Sequence, residues 1–385
     1  MRGRVLIYVH DLRSSGVVRN ALSIAARLAL SHDVLLLSGH GAGLFSGELA
    51  QARFRHETLC TAERPAPGLW ETAWRLRRTI LAERPDAILS AGNRGHFAPW
   101  LASLGIPGLR RAYRISNAID RDGDGTSFIR RMKAGLIANQ ADRLLLVGTA
   151  TGRSPVFAPT LADGRAIIVP NGVDPVRARA LGTAPSPHPW LDADIPVILS
   201  IGRLHAQKDF PTLIRAAAAV NRQRPIRLVI LGGGSASLAA GLREIAAEEG
   251  LAESLLLAGE TNNVFAWLAR ASAFALSSRW EGSSMALLEA MALNLPLVVS
   301  RSAGDAATVL RNGRDGMLAP AGDVDAFAAA ILRQISADAI RPGDRIEAYG
   351  LERSLALSAA AIAELAEAKS AERRRRPIST PAPSA

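Results

Sequence analysis

The strongest constraint on this 385-residue chain is an alternation that runs along most of its length, in which short apolar runs are followed by longer segments with apolar residues at helical spacing. Short apolar runs bounded by turn residues fit strands buried on both faces, and the amphipathic segments between them fit crossover helices. The strand candidates are 4–10, 33–39, 53–59, 86–91, 108–116, 142–148 and 166–170, then 196–202, 227–233, 254–259, 273–278, 295–300 and 316–320. Helical segments such as 17–30, 69–83, 210–221, 284–293 and 323–335 separate them. The expected fold class is therefore α/β, with two Rossmann-like, doubly wound parallel sheets whose ligand-binding edges lie at the carboxyl ends of the strands.

Composition sets the boundaries. The stretch VPNGVDPVRARALGTAPSPHPWLDADIP, from Val169 to Pro196, is rich in Pro, Gly and Asp and holds no sustained period, so the domain junction falls there. The expected organisation is a first domain over 1–170, a second over 171–343, a terminal helix over 344–369 that packs back on the first domain, and a disordered basic tail over 370–385. The tail sequence SAERRRRPISTPAPSA has no core-forming residues.

The formal net charge of +11 is unevenly placed. Residues 1–170 carry 23 Lys and Arg against 13 Asp and Glu, whereas 171–370 carry 19 against 21, so the excess base lies in the first half and the tail. Such a half favours an anionic partner, and an acidic inner-membrane surface is one candidate. Nucleic acid is disfavoured, because aromatic residues make up only 5% of the chain and no recognition module is present. The single cysteine, Cys60, permits neither an internal disulfide nor a zinc site. With no apolar run long enough to span a bilayer, the chain is expected in the cytoplasm, either free or peripheral on the membrane's inner face.

Three stretches of the second half concentrate chemistry. In SIGRLHAQKDF, an apolar strand ends at Gly202-Arg203 and Lys208 stands at the start of a helix, so two cations meet a helix mouth suited to a diphosphate. In EGSSMALLEAMAL, Glu281 precedes a helix beginning near Ser283, and Glu289 lies about 9 Å along its axis at about 1.5 Å per residue. Glu289 stands among Met285, Leu287, Leu288 and Met291, where a buried carboxylate needs partners such as the two hydroxyls of a ribose; an exposed helix position is the alternative. In GETNNV, the polar turn Thr261-Asn262-Asn263-Val264 offers groups that can read the edge of a base, or else simply caps a helix with Asn262 or Asn263.

With Val169-Pro-Asn-Gly-Val-Asp174 at the junction, these stretches resemble the retaining glycosyltransferases of family four, which have the GT-B fold; the match is clearest over 166–320. The resemblance implies a nucleoside-diphosphate sugar, UDP- or GDP-linked, bound mainly by the second domain. It also implies a glycan or lipid-linked acceptor held by the first, as in envelope polysaccharide or glycolipid synthesis. Arg203, Lys208 and Glu281 become the candidate catalytic residues. Gly202, Gly282, Ser283, Ser284, Met285 and Glu289 join the polar turn in holding the donor. Gly16, in the turn SSGVVRN after the first strand, matches the family's glycine-rich loop, although Ser15 stands where a second Gly is usual. Retention of configuration follows if the acceptor attacks on the face the diphosphate leaves, with no metal or cofactor required.

The first half departs from the family pattern. A His often follows a first-domain strand near the transferred sugar; here Asn117 follows, and His96 lies after a different strand. Both are candidates for sugar or acceptor contact, although Asn117 cannot act as a base. Two paired-aspartate motifs, Asp192-Ala-Asp194 and Asp323-Val-Asp325, read as turn and cap rather than metal ligands. Asp120, Asp122, Asp124 and Gly125 begin like a calcium loop, but Arg131 occupies the position of its bidentate Glu. A noncatalytic nucleotide-sugar-binding or scaffold subunit, and an epimerase of the same fold, are the competing functional expectations.

Overall fold

A computed structural model describes residues 2–12, 16–41, 49, 52–61, 63–91, 95–120 and 127–375. Ser15, Asp122, Asp124, Gly125 and residues 376–385 of the tail lie outside these described residues.

The first sheet comprises β1 (Arg4–Val9), β2 (Asp33–Ser38), β3 (Arg55–Thr58), β4 (Ala87–Ser90), β5 (Arg110–Ile115), β6 (Arg143–Leu146) and β7 (Ala166–Ile168). Its order is β3-β2-β1-β4-β5-β6-β7, and every pairing is parallel. The second comprises β8 (Val197–Ile201), β9 (Arg227–Leu231), β10 (Leu255–Gly259), β11 (Ala273–Leu276), β12 (Leu297–Ser300) and β13 (Met317–Ala319), in the order β10-β9-β8-β11-β12-β13, again all parallel. Every strand candidate of the sequence thus becomes a strand.

Burial on both faces explains why the strands read as unbroken apolar runs. Val5, Ile7 and Val9 of β1 join Val34, Leu36 and Leu89 under one helix layer, while Leu6 and Tyr8 join Leu35, Leu37 and Ile88 under the other. The second sheet repeats the pattern, with Leu199, Leu231, Phe274 and Val299 on one face and Ile198, Ile230, Ala275 and Val298 on the opposite one. Each sheet reverses its strand order once, at β1/β4 and at β8/β11, and a doubly wound sheet opens a crevice at such a point. The turns carrying Gly16, Gly202 and Glu281 all leave strands at these two reversals.

The end of the chain ties the domains together. The segment expected as one helix over 344–369 is divided: Gly343–Tyr349 is a 3-10 turn, and the helix proper is Leu351–Arg375, reaching into the segment expected as disordered tail. Leu355, Ala359, Ile362 and Ala366 of this helix lie in the core of the first domain, which keeps the helix continuous where its own helical amphipathicity is weak. At the crossing, Leu351 N–H donates to Val173 O at 3.0 Å, and Val173 N–H to Tyr349 O at 2.9 Å. A Cβ on Gly172 would stand 2.7 Å from Leu351 Cα, so glycine is needed for the two strands of the connection to pass.

Candidate active site

Between the two sheet reversals lies a cavity of about 290 Å³ lined by both domains. Gly16, Asn117, Gly202, Arg203, Lys208, Thr261, Val264, Glu281, Ser283, Ser284, Met285 and Glu289 all line it, so residues scattered over most of the sequence meet in one cleft.

The cationic side of the cleft differs from its sequence-based expectation. Lys208 ends a 3-10 turn, Ala206–Lys208, and the helix Phe210–Asn221 begins only after Asp209, whose φ is +48°. The Asp209 carboxylate, buried at that helix mouth, accepts from Thr212 Oγ1 at 3.0 Å and from Arg279 Nε at 3.2 Å. This carboxylate caps none of the helix's first-turn amides, and Lys208 enters the cleft from the 3-10 turn rather than from the helix. Gly202 makes this feasible, because a Cβ there would lie 2.6 Å from Lys208 Cε, so its absence lets the lysine run across the strand end into the cleft. Arg203 stands exposed at the rim.

Lys208 Nζ reaches Glu281 Oε1 at 2.5 Å, and Ser278 Oγ donates to the same oxygen at 3.0 Å. Both charged side chains are largely buried, which makes the pair rigid and leaves the ammonium's other donors for a ligand. Three residues on, Ser284 caps the helix Met285–Ala292, its Oγ accepting from Leu287 N–H at 3.4 Å. The first-turn amides of such a helix have no intrahelical acceptor and favour an anion, and Met285 and Ala286 of this turn line the cavity.

Glu289 is the fifth residue of this helix and 6% exposed, which excludes the exposed-position alternative. Burial raises its pKa above the ordinary carboxylate value, and Arg19 opposes the rise with a 3.6 Å contact to Oε1 from the helix Gly16–Leu28 of the first domain.

Other expected site residues fall differently. Asn263 caps the helix Val264–Leu268, its Oδ1 accepting from Phe265 N–H and Ala266 N–H and its Nδ2 donating to Leu181 O, so the capping alternative is the one realised. Asn262 is exposed and outside the cavity lining, whereas Thr261 and Val264 of the same turn remain in it. Gly282 is a packing glycine, because a Cβ there would stand 2.5 Å from Ser116 O of the opposite domain. Gly16 likewise abuts Met285 Cγ, at 2.8 Å from where its Cβ would be. His96 does not line the cavity: its Nδ1 is 2.7 Å from Ser90 Oγ, its ring meets Tyr113 edge-on, and burial pulls its pKa down to about 4, leaving it uncharged. Asn117 is in the lining, with Oδ1 accepting from Ala118 N–H. Asp323 caps the helix Val324–Gln334, as its motif suggested.

Sequence reasoning missed several lining residues: Arg19, Asn20, Arg114, Asn171, Gly232, Gly233 and Glu260. The run Leu-Gly-Gly-Gly after β9 was a legible signal, since Gly232 at φ +142° brings its backbone against Gly202 O, where a Cβ would lie 2.0 Å away. Asn171 was visible only as part of the junction motif. It proves to be a fully used link, accepting from Arg114 Nη2 at 2.6 Å and Asn20 Nδ2 at 3.3 Å and donating to Ser283 O at 2.9 Å.

Two all-parallel, doubly wound domains facing one another across a ligand cleft define the GT-B architecture. Residues 195–337 match the family described as Glycosyl transferases group 1. A lipopolysaccharide core biosynthesis glycosyltransferase, LpsE, of Rhizobium meliloti is 35% identical over 146 residues, covering 38% of this chain and 41% of that protein. An Escherichia coli UDP-Gal:alpha-D-GlcNAc-diphosphoundecaprenol alpha-1,3-galactosyltransferase is 30% identical over 171 residues, covering 43% and 44% respectively. The matched stretch thus spans less than half the length of either relative. In three dimensions, Anabaena HepE, solved with UDP and glucose, superposes with a TM-score of 0.71 at 18% identity over 97% of this chain and 99% of that one. The chain has the GT-B fold, and its residues 195–337 carry the likeness to group 1 glycosyltransferases, in line with the sequence resemblance.

Proposed function

We propose that this protein transfers a sugar from a nucleoside-diphosphate donor to an acceptor hydroxyl with retention of configuration. The observation that carries the proposal is the placement, in one interdomain cleft, of the Lys208–Glu281 pair, the mouth of the Met285–Ala292 helix and the buried Glu289. Lys208 and Arg203 neutralise the charge that develops on the leaving diphosphate, the helix-mouth amides take the phosphate beside the sugar, and Glu289 accepts from the ribose hydroxyls. Glu281 holds Lys208 in place and faces the sugar. Among the described residues of the first domain that line the cavity none is a ready base, since Asn117 is an amide and His96 lies outside the lining. The departing phosphate oxygen then serves as proton acceptor for the attacking hydroxyl, on the face from which it leaves.

The relatives named for lipopolysaccharide core and diphosphoundecaprenol substrates support a lipid-linked acceptor. Among the described residues no helix is long and apolar enough to cross a membrane. Two helices of the first domain each suit peripheral contact. The helix Ser127–Gln140 exposes Phe128, Ile129, Met132 and Leu136 beside Arg130, Arg131 and Lys133, and the helix Leu69–Glu83 exposes Trp70 and Trp74 beside Arg78. Apolar side chains flanked by cations suit an anionic interface.

Incubation with UDP- and GDP-sugars and a panel of lipid-linked glycan acceptors, with the new linkage followed by proton NMR, tests the proposal. The expected product has the donor's anomeric configuration. Binding of the sugar nucleotide without transfer to any acceptor would favour the scaffold alternative, and an epimerised free sugar would favour the epimerase.

A further inference from the structure

Strand β5 carries three arginines, and they have different fates. Arg110 pairs with Asp142 at 3.1 Å. Arg111 gives Nε to Ser103 Oγ, Nη2 to Ser103 O and Nη1 to Leu109 O. Arg114 is 1% exposed, and among the described residues its only side-chain hydrogen bond runs from Nη2 to the amide oxygen of Asn171. Its Nε and Nη1, with three N–H donors between them, have no acceptor among the described residues, although the side chain lines the interdomain cleft.

A buried guanidinium without an anion is expensive to retain for packing alone, since leaving a buried charged donor unsatisfied incurs its full desolvation cost. Burial, with no carboxylate to oppose it, pulls the Arg114 pKa down to about 10, so the group is still a cation at neutral pH. Its position says which anion is missing. Arg203 and Lys208, the cations that serve the donor diphosphate, both come from the second domain, whereas Arg114 comes from the first. Asn171 fixes it by bonding at once to Arg114 and to Ser283 O, immediately before the helix mouth. That holds Arg114 on the first-domain wall of the cavity whose second-domain wall carries Arg203 and Lys208.

We propose that Arg114 binds an oxyanion, a carboxylate or phosphate, borne by the transferred sugar or by the acceptor and distinct from the donor diphosphate. This inference rests on the nucleotide-sugar reading of the cleft and adds an anionic substrate class to it. The two sources are separable. A carboxylate on the sugar makes UDP-glucuronate bind better than UDP-glucose; an acceptor phosphate makes inorganic phosphate bind to protein already saturated with UDP or GDP.

Calorimetry on the full chain and on Arg114→Gln reads both arms. One of the two anions is expected to bind the wild type about tenfold or more tighter than the variant, as for loss of a charge-assisted hydrogen bond, while UDP or GDP alone binds both proteins equally. Arg114→Lys, which keeps the charge, is expected to recover part of the affinity. If Arg114→Gln does not fold, Arg114→Lys and the wild-type preferences still decide. A wild type that takes neither anion beyond its nucleotide overturns the inference, as does a variant that loses UDP or GDP itself to the same degree. Failure of wild type to bind either nucleotide would overturn the functional proposal itself, an outcome distinct from a nucleotide-binding protein that ignores both anions.

Discussion

The two walls of the cleft handle charge in opposite ways. On the second domain the chemistry-bearing groups are partnered within a short stretch of chain or with one another: Lys208 with Glu281, Asp209 with Arg279 and Thr212, Ser284 with its own helix. On the first domain, Arg19 and Arg114 reach across the domain boundary, to Glu289 and Asn171. The second wall is thus preorganised by local structure, and the first is organised by docking against it. The contrast gives the near-neutral half a wall of locally paired charges and leaves the basic half in contact with its neighbour.

The largest effect that would break this contrast concerns Lys208. Replacing it by Met strands the Glu281 carboxylate in a largely buried position, which costs stability of about 3–5 kcal/mol by analogy with other broken buried pairs. Transfer is expected to fall roughly 100- to 1000-fold with the loss of charge stabilisation. The double variant Lys208→Met/Glu281→Gln separates the two effects: thermal unfolding should return most of the way to wild type while kcat stays low. Recovery of turnover along with stability would show the pair to be merely structural.

Docking is probed next by Gly282→Ala. The added methyl would stand 2.5 Å from Ser116 O, so the first domain must move away from the second-domain wall. About a tenfold loss of kcat is expected from the displaced geometry, with a stability loss of about 1–3 kcal/mol. Unchanged turnover would mean that the walls act independently.

A smaller effect is expected at Asp305, whose Oδ2 lies against Gly148 of the first domain, 2.5 Å from where a Cβ there would sit. Burial, with help from the charge of Glu281, raises its pKa from the ordinary 3.8 to about 7. Between those values the native protein keeps a proton that the unfolded chain has lost, so this group makes stability fall as pH rises, by up to about 1.4 kcal/mol per pH unit, and has no further effect above the upper value. Asp305→Asn should remove that slope from the pH dependence of denaturant unfolding. An identical slope in the variant would assign it elsewhere.

The same contrast explains what the sequence revealed. Every strand was legible because parallel strands buried on both faces leave continuous apolar runs. Lys208, Glu281 and Glu289 were legible because each sits at a strand end or a fixed helical offset from one. Lys208 was expected at a helix start, but it closes a 3-10 turn, and Asp209 at φ +48° separates it from the helix at Phe210. Asn263 and Gly282 carry packing roles that a motif cannot distinguish from ligand contact without the neighbouring chain. Arg114 was hidden for the opposite reason. It stands in a strand with two other arginines, and only the folded neighbours show that, among the described residues, it alone of the three lacks acceptors for Nε and Nη1 both. One local clue existed, since an arginine in a strand expected to be buried on both faces requires a partner.

The central claim is that Glu289 and the wall around it form a nucleotide site, and titration calorimetry with UDP and GDP tests it most directly. Wild type should bind at least one of them, and Glu289→Ala should weaken that binding by roughly 10- to 100-fold through loss of hydrogen bonds to a charged acceptor. Because the native carboxylate is buried and its pKa raised, the variant should unfold at the same temperature as wild type or higher in the absence of nucleotide. Equal affinity in the two proteins, or no binding of either nucleotide at millimolar concentration, would contradict the account.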